Sequence, residues 1–180
     1  MEKIKFFKES RFKQTEIGEI PEDWNVMRLA EILESKKDIV QNKNIKPIAV
    51  GEKGVRFREE IYYKELTRNY EKYKVFEYGD LCFGLGTKKM AVGVNVFKDK
   101  IFCVSPAYSV FRVKQEYYSI EYFDYLIKYY QQEQWSDKYL VQSVRQGKKV
   151  DVKRLSDSLI IAPPLSEQKA IAYVLSTIQE

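Results

Sequence analysis

Two adjacent prolines constrain the fold of this chain more than any other feature. Pro163 and Pro164 follow a short apolar run, residues 159–162, and precede Leu165-Ser166-Glu167-Gln168-Lys169-Ala170-Ile171-Ala172-Tyr173-Val174-Leu175. Proline has a fixed φ, lacks an N–H, and pushes the residue before it out of the helical region. The run before the prolines therefore reads as a strand that stops, and the run after them as a helix that starts. Ser166 is the expected N-cap, accepting from the first free backbone N–H groups. Glu167 adds negative charge at the positive end of the helix dipole. Ile171, Val174, Leu175 and Ile178 recur at the spacing of one helical face. From Ser166 to Glu180 the helix is roughly 22 Å long at about 1.5 Å per residue. Such a helix is marginal alone. Its stripe is expected to pack against another helix of the same kind, or to stay partly exposed.

The rest of the chain reads as one globular unit in front of that helix, since 180 residues suit a single domain. Residues 1–13 are basic and irregular and are expected to form a flexible arm, with the main domain over 14–162. Gly18 and Pro21 are expected to break regular structure, and Trp24 to anchor its segment in the core. Residues 25–29 read as a strand, 29–34 as a short helix, and 35–46 as a polar surface loop. A strand over 47–50 is followed by Gly51-Glu52-Lys53-Gly54-Val55-Arg56-Phe57-Arg58, a glycine-punctuated basic loop. Residues 60–74 are partly helical at best. The middle is β-rich: 81–85, 91–97, 101–105 and 108–113 read as strands from their β-branched and aromatic content. Ser119 is placed to cap a helix running to about Gln134, with Ile120, Phe123, Ile127 and Tyr130 on one face. Residues 152–156 suggest one helical turn.

Catalytic chemistry finds little to work with. The chain has no histidine, which excludes Ser-His-Asp and Cys-His arrangements. With two cysteines and no histidine, the usual zinc ligand sets are also missing. Cys82 and Cys103 lie in apolar runs and are expected to be reduced core residues. The Gly84-Leu85-Gly86-Thr87-Lys88-Lys89 segment has neither P-loop nor dinucleotide-binding spacing. Ala162-Pro163-Pro164-Leu165 shares its prolines with the Asn/Asp-Pro-Pro-Tyr motif of amino-methyltransferases. It lacks the polar residue and the aromatic ring which that chemistry needs. No cofactor or metal is expected, and a binding module is favoured over an enzyme. No apolar run reaches the length of a membrane span, and residues 1–9 lack a signal-peptide core. A cytoplasmic location is therefore expected. The net charge, 31 basic minus 26 acidic residues, is +5, which permits nucleic-acid binding without requiring it.

Both ends of the chain resemble one family. Lys13-Gln14-Thr15-Glu16-Ile17-Gly18-Glu19-Ile20-Pro21-Glu22-Asp23-Trp24 is similar to the opening of a target recognition domain in the specificity (S) subunits of type I restriction-modification enzymes. Pro163-Pro164-Leu165-Ser166-Glu167-Gln168-Lys169-Ala170-Ile171 resembles the junction where such a domain meets its conserved spacer helix. Gly79-Asp80-Leu81, Val104-Ser105-Pro106-Ala107-Tyr108 and Arg145-Gln146-Gly147 fit the same family. The resemblance implies an α/β (α+β) fold: a twisted mixed β-sheet with flanking helices, followed by the start of a long spacer helix at residues 163–180. It implies sequence-specific recognition of double-stranded DNA, with no catalysis of its own. The implied partners are methyltransferase (M) subunits and, through them, restriction (R) subunits. A homodimer through the spacer helix would imply a symmetric split target. The rival readings are a specificity module of a restriction-methylation enzyme outside type I, and a free-standing small nuclease or methyltransferase.

On this reading basic loops grip phosphates while a few side chains read base edges. The candidates for phosphate are Lys53, Arg56, Arg58, Lys88, Lys89, Lys148 and Lys149. The candidates for base reading are Gln142, Arg145 and Gln146, since Arg suits guanine and Gln suits adenine in the major groove. Ile171, Val174, Leu175 and Ile178 are the candidates for spacer-helix packing.

Overall fold

The computed structural model describes residues 11–41, 45–58, 69–86, 88–133, 137–143 and 147–178. The chain opens with an antiparallel hairpin of β1 (Phe12–Thr15) and β2 (Gly18–Pro21). Of the expected arm, Phe12 and Lys13 thus belong to a strand, and residues 1–10 lie outside the described residues. Gly18 and Pro21 break regular structure as expected, with turns at residues 16–17 before β2 and 22–23 after it. Gly18, at φ +113°, turns the hairpin, and Pro21 ends its second strand where no further N–H is required.

Two four-stranded sheets form the body. One has the order β4 (Leu33–Lys36), β11 (Ser109–Val113), β8 (Asp80–Phe83), β9 (Val92–Val94), antiparallel throughout. The other runs β6 (Gly54–Phe57), β5 (Lys46–Gly51), β10 (Phe102–Val104), β7 (Lys74–Phe76). In it β5 and β10 are parallel and the remaining neighbours antiparallel, so the sheet is mixed, as the family resemblance implied. β8 and β9 are buried at every residue because sheet neighbours and α2 (Ile120–Gln132) cover them. Ile120, Phe123 and Ile127 of α2 pack on Leu81, Val92 and Val94, while Ile48, Phe76, Cys82 and Phe102 form a second apolar cluster. Cys82 and Cys103 are free and buried, and burial pushes both thiols up, Cys103 to about 11.

Three local expectations are corrected by the ladder. The helix expected over 29–34 is α1 (Leu29–Ile32), because Leu33 and Glu34 enter β4 beside Val113 and Arg112. The loop expected over 35–46 begins later, since Ser35 and Lys36 complete that strand, and Val40 is buried. The basic loop expected over 51–58 is a hairpin whose turn is Glu52-Lys53 and whose return strand is β6. The segment 60–74 falls mostly on residues 59–68, outside the described residues.

The two ends of the chain meet. After α3 (Val152–Ser156), the helical turn expected there, β14 (Leu159–Ala162) pairs antiparallel with β3 (Asn25–Arg28), and α4 (Leu165–Ile178) leaves from the end of that ribbon. Trp24 is half-buried rather than a core anchor, and its indole Nε1–H donates to Glu167 Oε2 at 3.0 Å. Ser166 does not cap α4. The Pro164 carbonyl accepts from the Glu167 and Gln168 N–H groups at 2.9 and 3.0 Å, so the helix starts at Leu165 and Ser166 lies within its first turn. Gln168 is fully buried. Its Oε1 accepts the Ser119 N–H at 2.9 Å, and its Nε2 donates to the carbonyls of Tyr117 and Pro163, both at 2.8 Å. Ser119 in turn caps α2, accepting from the Tyr122 N–H. α4 is therefore pinned to the head at its first turn.

Candidate nucleic-acid interface

Three basic segments far apart in sequence converge on one face. The first is the Glu52-Lys53 turn of the β5–β6 hairpin. The second is the loop from Gly84 to Met90, whose base is closed by Gly84 N–H on the Ala91 carbonyl at 2.8 Å. The third is the hairpin of β12 (Leu140–Gln142) and β13 (Lys148–Val150). Glu52 Oε1 accepts from the backbone N–H groups of Lys88 and Lys89 at 2.7 and 3.0 Å, tying the first segment to the second. Gly86 and Lys148 exchange both backbone hydrogen bonds, 3.0 and 2.7 Å, tying the second to the third.

Glycine is required where these segments touch. A Cβ on Gly86 would lie 2.0 Å from the Lys89 carbonyl oxygen, and one on Gly147 would lie 2.7 Å from the Gly86 carbonyl oxygen. Gly147 also has φ +95°, in the region that favours glycine. Behind the face, Gln131 of α2 donates its side-chain N–H groups to the Glu52 carbonyl at 3.0 Å and to the Met90 carbonyl.

The structure sorts the sequence candidates. Lys53, Lys88, Lys89, Lys148 and Lys149 are exposed on the joined segments. Gln142 is exposed and stands directly across the ladder from Lys148. Arg56 is exposed on β6. Arg58 is set apart: it follows the far end of that hairpin, half-buried, with its charge acting on Cys103. Arg145 and Gln146 lie outside the described residues. Sequence reasoning missed Glu52 and Gln131, because one looked like an incidental charge in a basic loop and the other like the tail of an amphipathic helix.

The spacer-helix candidates do not share one environment. Ile171 packs against the main core and Val174 is half-buried, whereas Leu175 and Ile178 are exposed. The face of α4 turned to α2 carries Gln168 and Ala172 instead. Beyond it a groove of about 240 Å³, lined by Glu121, Tyr125, Lys169 and Tyr173 among others, separates the two helices.

The acidic residues near the sheet are structural. Asp80 is fully buried; it accepts from Lys36 Nζ at 2.7 Å, Arg112 Nε at 2.5 Å and the Glu77 N–H at 2.7 Å. Glu77 binds the same two cations at 2.6 and 2.9 Å, and its contact with Lys36 holds its carboxyl below the usual range. Among the described residues no three of His, Cys, Asp and Glu come together to hold a metal, and no helix is long and apolar enough to cross a membrane.

Comparison with known proteins gives one answer. Residues 21–180 match the profile of the family described as "Type I restriction modification DNA specificity domain". A curated protein of Methanocaldococcus jannaschii, "Putative type I restriction enzyme MjaX specificity subunit", is 28% identical over 186 residues, which cover 96% of this chain and 43% of that protein. The chain thus spans less than half the length of that relative. Among solved structures, the HsdS subunit from Thermoanaerobacter tengcongensis superposes with TM-score 0.54 at 18% identity, over 93% of this chain and 40% of that one. The type I restriction-modification S subunit from M. genitalium gives TM-score 0.55 at 15% identity, over 87% and 39%. These likenesses show a shared fold.

Proposed function

This chain belongs to the family of type I restriction modification DNA specificity domains, and on that footing we propose that it reads part of a duplex DNA target for a type I restriction-modification complex. In this reading residues 14–162 are the recognition head and residues 163–180 the junction and the start of a spacer helix. The chain carries out no catalysis itself. It directs methyltransferase subunits, and through them restriction subunits, to a split site in cytoplasmic DNA. One observation carries the proposal: the hydrogen-bonded union of the Glu52-Lys53 turn, the 84–90 loop and the β12–β13 hairpin, which puts five exposed lysines on joined segments.

Duplex DNA is a dense line of negative charge, and each neutralised phosphate releases counterions. Lys53, Lys88, Lys89, Lys148 and Lys149, and Arg56 exposed on β6, bind phosphates and set register. Gln142, Arg145 and Gln146 read bases, since Arg suits guanine and Gln suits adenine, and Gln142 is exposed on β12 across from Lys148. Trp24 and Gln168 hold the first turn of α4 to the head, so the spacer leaves in a fixed direction. The exposed Leu175 and Ile178 are suited to a second spacer helix, whether from a longer parent chain or from a second copy.

The test is to co-express the chain with a type I methyltransferase subunit in a host without other DNA methylation, and to sequence the methylated bases. A single recurring split motif is expected. A palindromic motif indicates a symmetric pair of these chains, and an asymmetric one a second, different head. Methylation that persists unchanged without this chain defeats the proposal.

A further inference from the structure

Gln131 is a polar side chain in a buried position, 8% exposed, near the C-terminal end of α2. Its neighbour one turn back on that helix face, Ile127, is an apolar core residue. Burying an amide among such residues is unfavourable unless its hydrogen-bonding groups find partners. Here Nε2 donates to two backbone carbonyls that belong to different segments, Glu52 in the β5–β6 turn and Met90 at the end of the 84–90 loop. From Glu52 the connection continues outward, because its carboxylate accepts the Lys88 and Lys89 N–H groups. From Gly86 it passes to Lys148. The basic segments are therefore bonded to each other at the surface and to one helix from behind.

We propose that Gln131 is a positioning residue for DNA discrimination: by holding the Glu52 and Met90 carbonyls together it fixes the basic segments in one register, without touching DNA. The inference rests on the recognition reading above and deepens it. Base readout depends on side chains held in one geometry, whereas attraction between lysines and phosphates survives small displacements. Releasing the clamp should therefore affect discrimination more than general affinity.

Gln131→Met keeps the length of the side chain and removes both donors. Wild-type protein is first used to select from a pool of random-sequence duplexes, and an enriched duplex and its scrambled counterpart become the probes. The variant is expected to bind the enriched duplex about tenfold more weakly, the discrimination carried by one good base contact. Its affinity for the scrambled duplex should not change. Amide exchange over residues 86–90 should quicken while exchange in β8 and β11 stays at the wild-type rate. Equal discrimination by variant and wild type would overturn the inference alone. Failure of the wild type to enrich any sequence would overturn the recognition reading, and this inference with it. If Gln131→Met does not fold, Gln131→Glu decides. It keeps the length and polarity of the side chain while a carboxylate cannot donate to the Glu52 and Met90 carbonyls, so a reduced preference for the enriched duplex supports the inference and an unchanged preference overturns it.

Discussion

Replacing Gln168 by methionine should be among the most damaging single changes available outside the apolar core. The side chain is fully buried and makes three hydrogen bonds: one accepted from the Ser119 N–H and two donated, to the Tyr117 and Pro163 carbonyls. Methionine matches its length and keeps none of them. Each lost bond removes about 1 kcal/mol net, and a buried carbonyl left without a partner adds roughly 1–3 kcal/mol. The bond to Pro163 is buried and the other two are part-buried, so that penalty applies chiefly to Pro163. The expected loss is about 4 kcal/mol, a large share of the ~5–15 kcal/mol that holds a domain together. In a protein of this size each kcal/mol moves Tm by about 2–4 °C, so the melting point should fall by roughly 10 °C. Urea denaturation followed by circular dichroism measures the free energy directly. Lys169→Met, one residue on and exposed, is the control and should change stability by less than about 0.5 kcal/mol. A loss below about 1 kcal/mol for Gln168→Met would refute the view that this side chain pins α4 to α2.

Three further outcomes are expected. Neutralising Lys148 and Lys149 together should flatten the slope of log K against log salt by about 1.8, roughly 0.9 for each lost phosphate contact, with titrations at several salt concentrations as the check. Glu77 is held below its ordinary pKa of 4.5, first by its hydrogen bond with Lys36, so its stabilising contribution is present above about pH 4.5 and is lost as pH falls through the lower folded value. Wild type should therefore lose more stability than Glu77→Gln on acidification below that point, as read by urea denaturation against pH. Gly147→Ala should destabilise the β12–β13 hairpin by at least about 1 kcal/mol, because it adds strain at positive φ to a close approach on the Gly86 carbonyl, and amide exchange across residues 140–150 should report it.

Much of the fold is legible in the sequence wherever the cause is local. Pro163 and Pro164 end β14 and start α4, because fixed φ and missing donors act within a residue or two. Ser119 caps α2, and Ile120, Phe123 and Ile127 fall on its buried face, because the helical period is written in the chain itself. Strand content from Asp80 to Val113 follows from β-branched and aromatic residues that suit a covered sheet. The end motifs, read together, also identified the family.

What the sequence could not supply is which distant groups share a hydrogen bond. Ser166 has the composition of a cap, yet the Pro164 carbonyl takes that role one turn-step earlier, and only the path of β14 decides between them. Asp80 looked like one more carboxylate until three strands placed Lys36 and Arg112 against it. Glu52, Lys88 and Lys148 lie in three separate segments, and Gln131 in a fourth; nothing in their local sequence says that they meet. Local propensity reaches about one helical turn or one strand pair along the chain. The convergence of basic segments depends instead on sheet order and on where α2 lies across it. Hence the two prolines were enough to mark the junction, but only the tertiary structure shows that Trp24 and Gln168 fasten it to the head, since the partners they bond lie at opposite ends of the chain or on another helix.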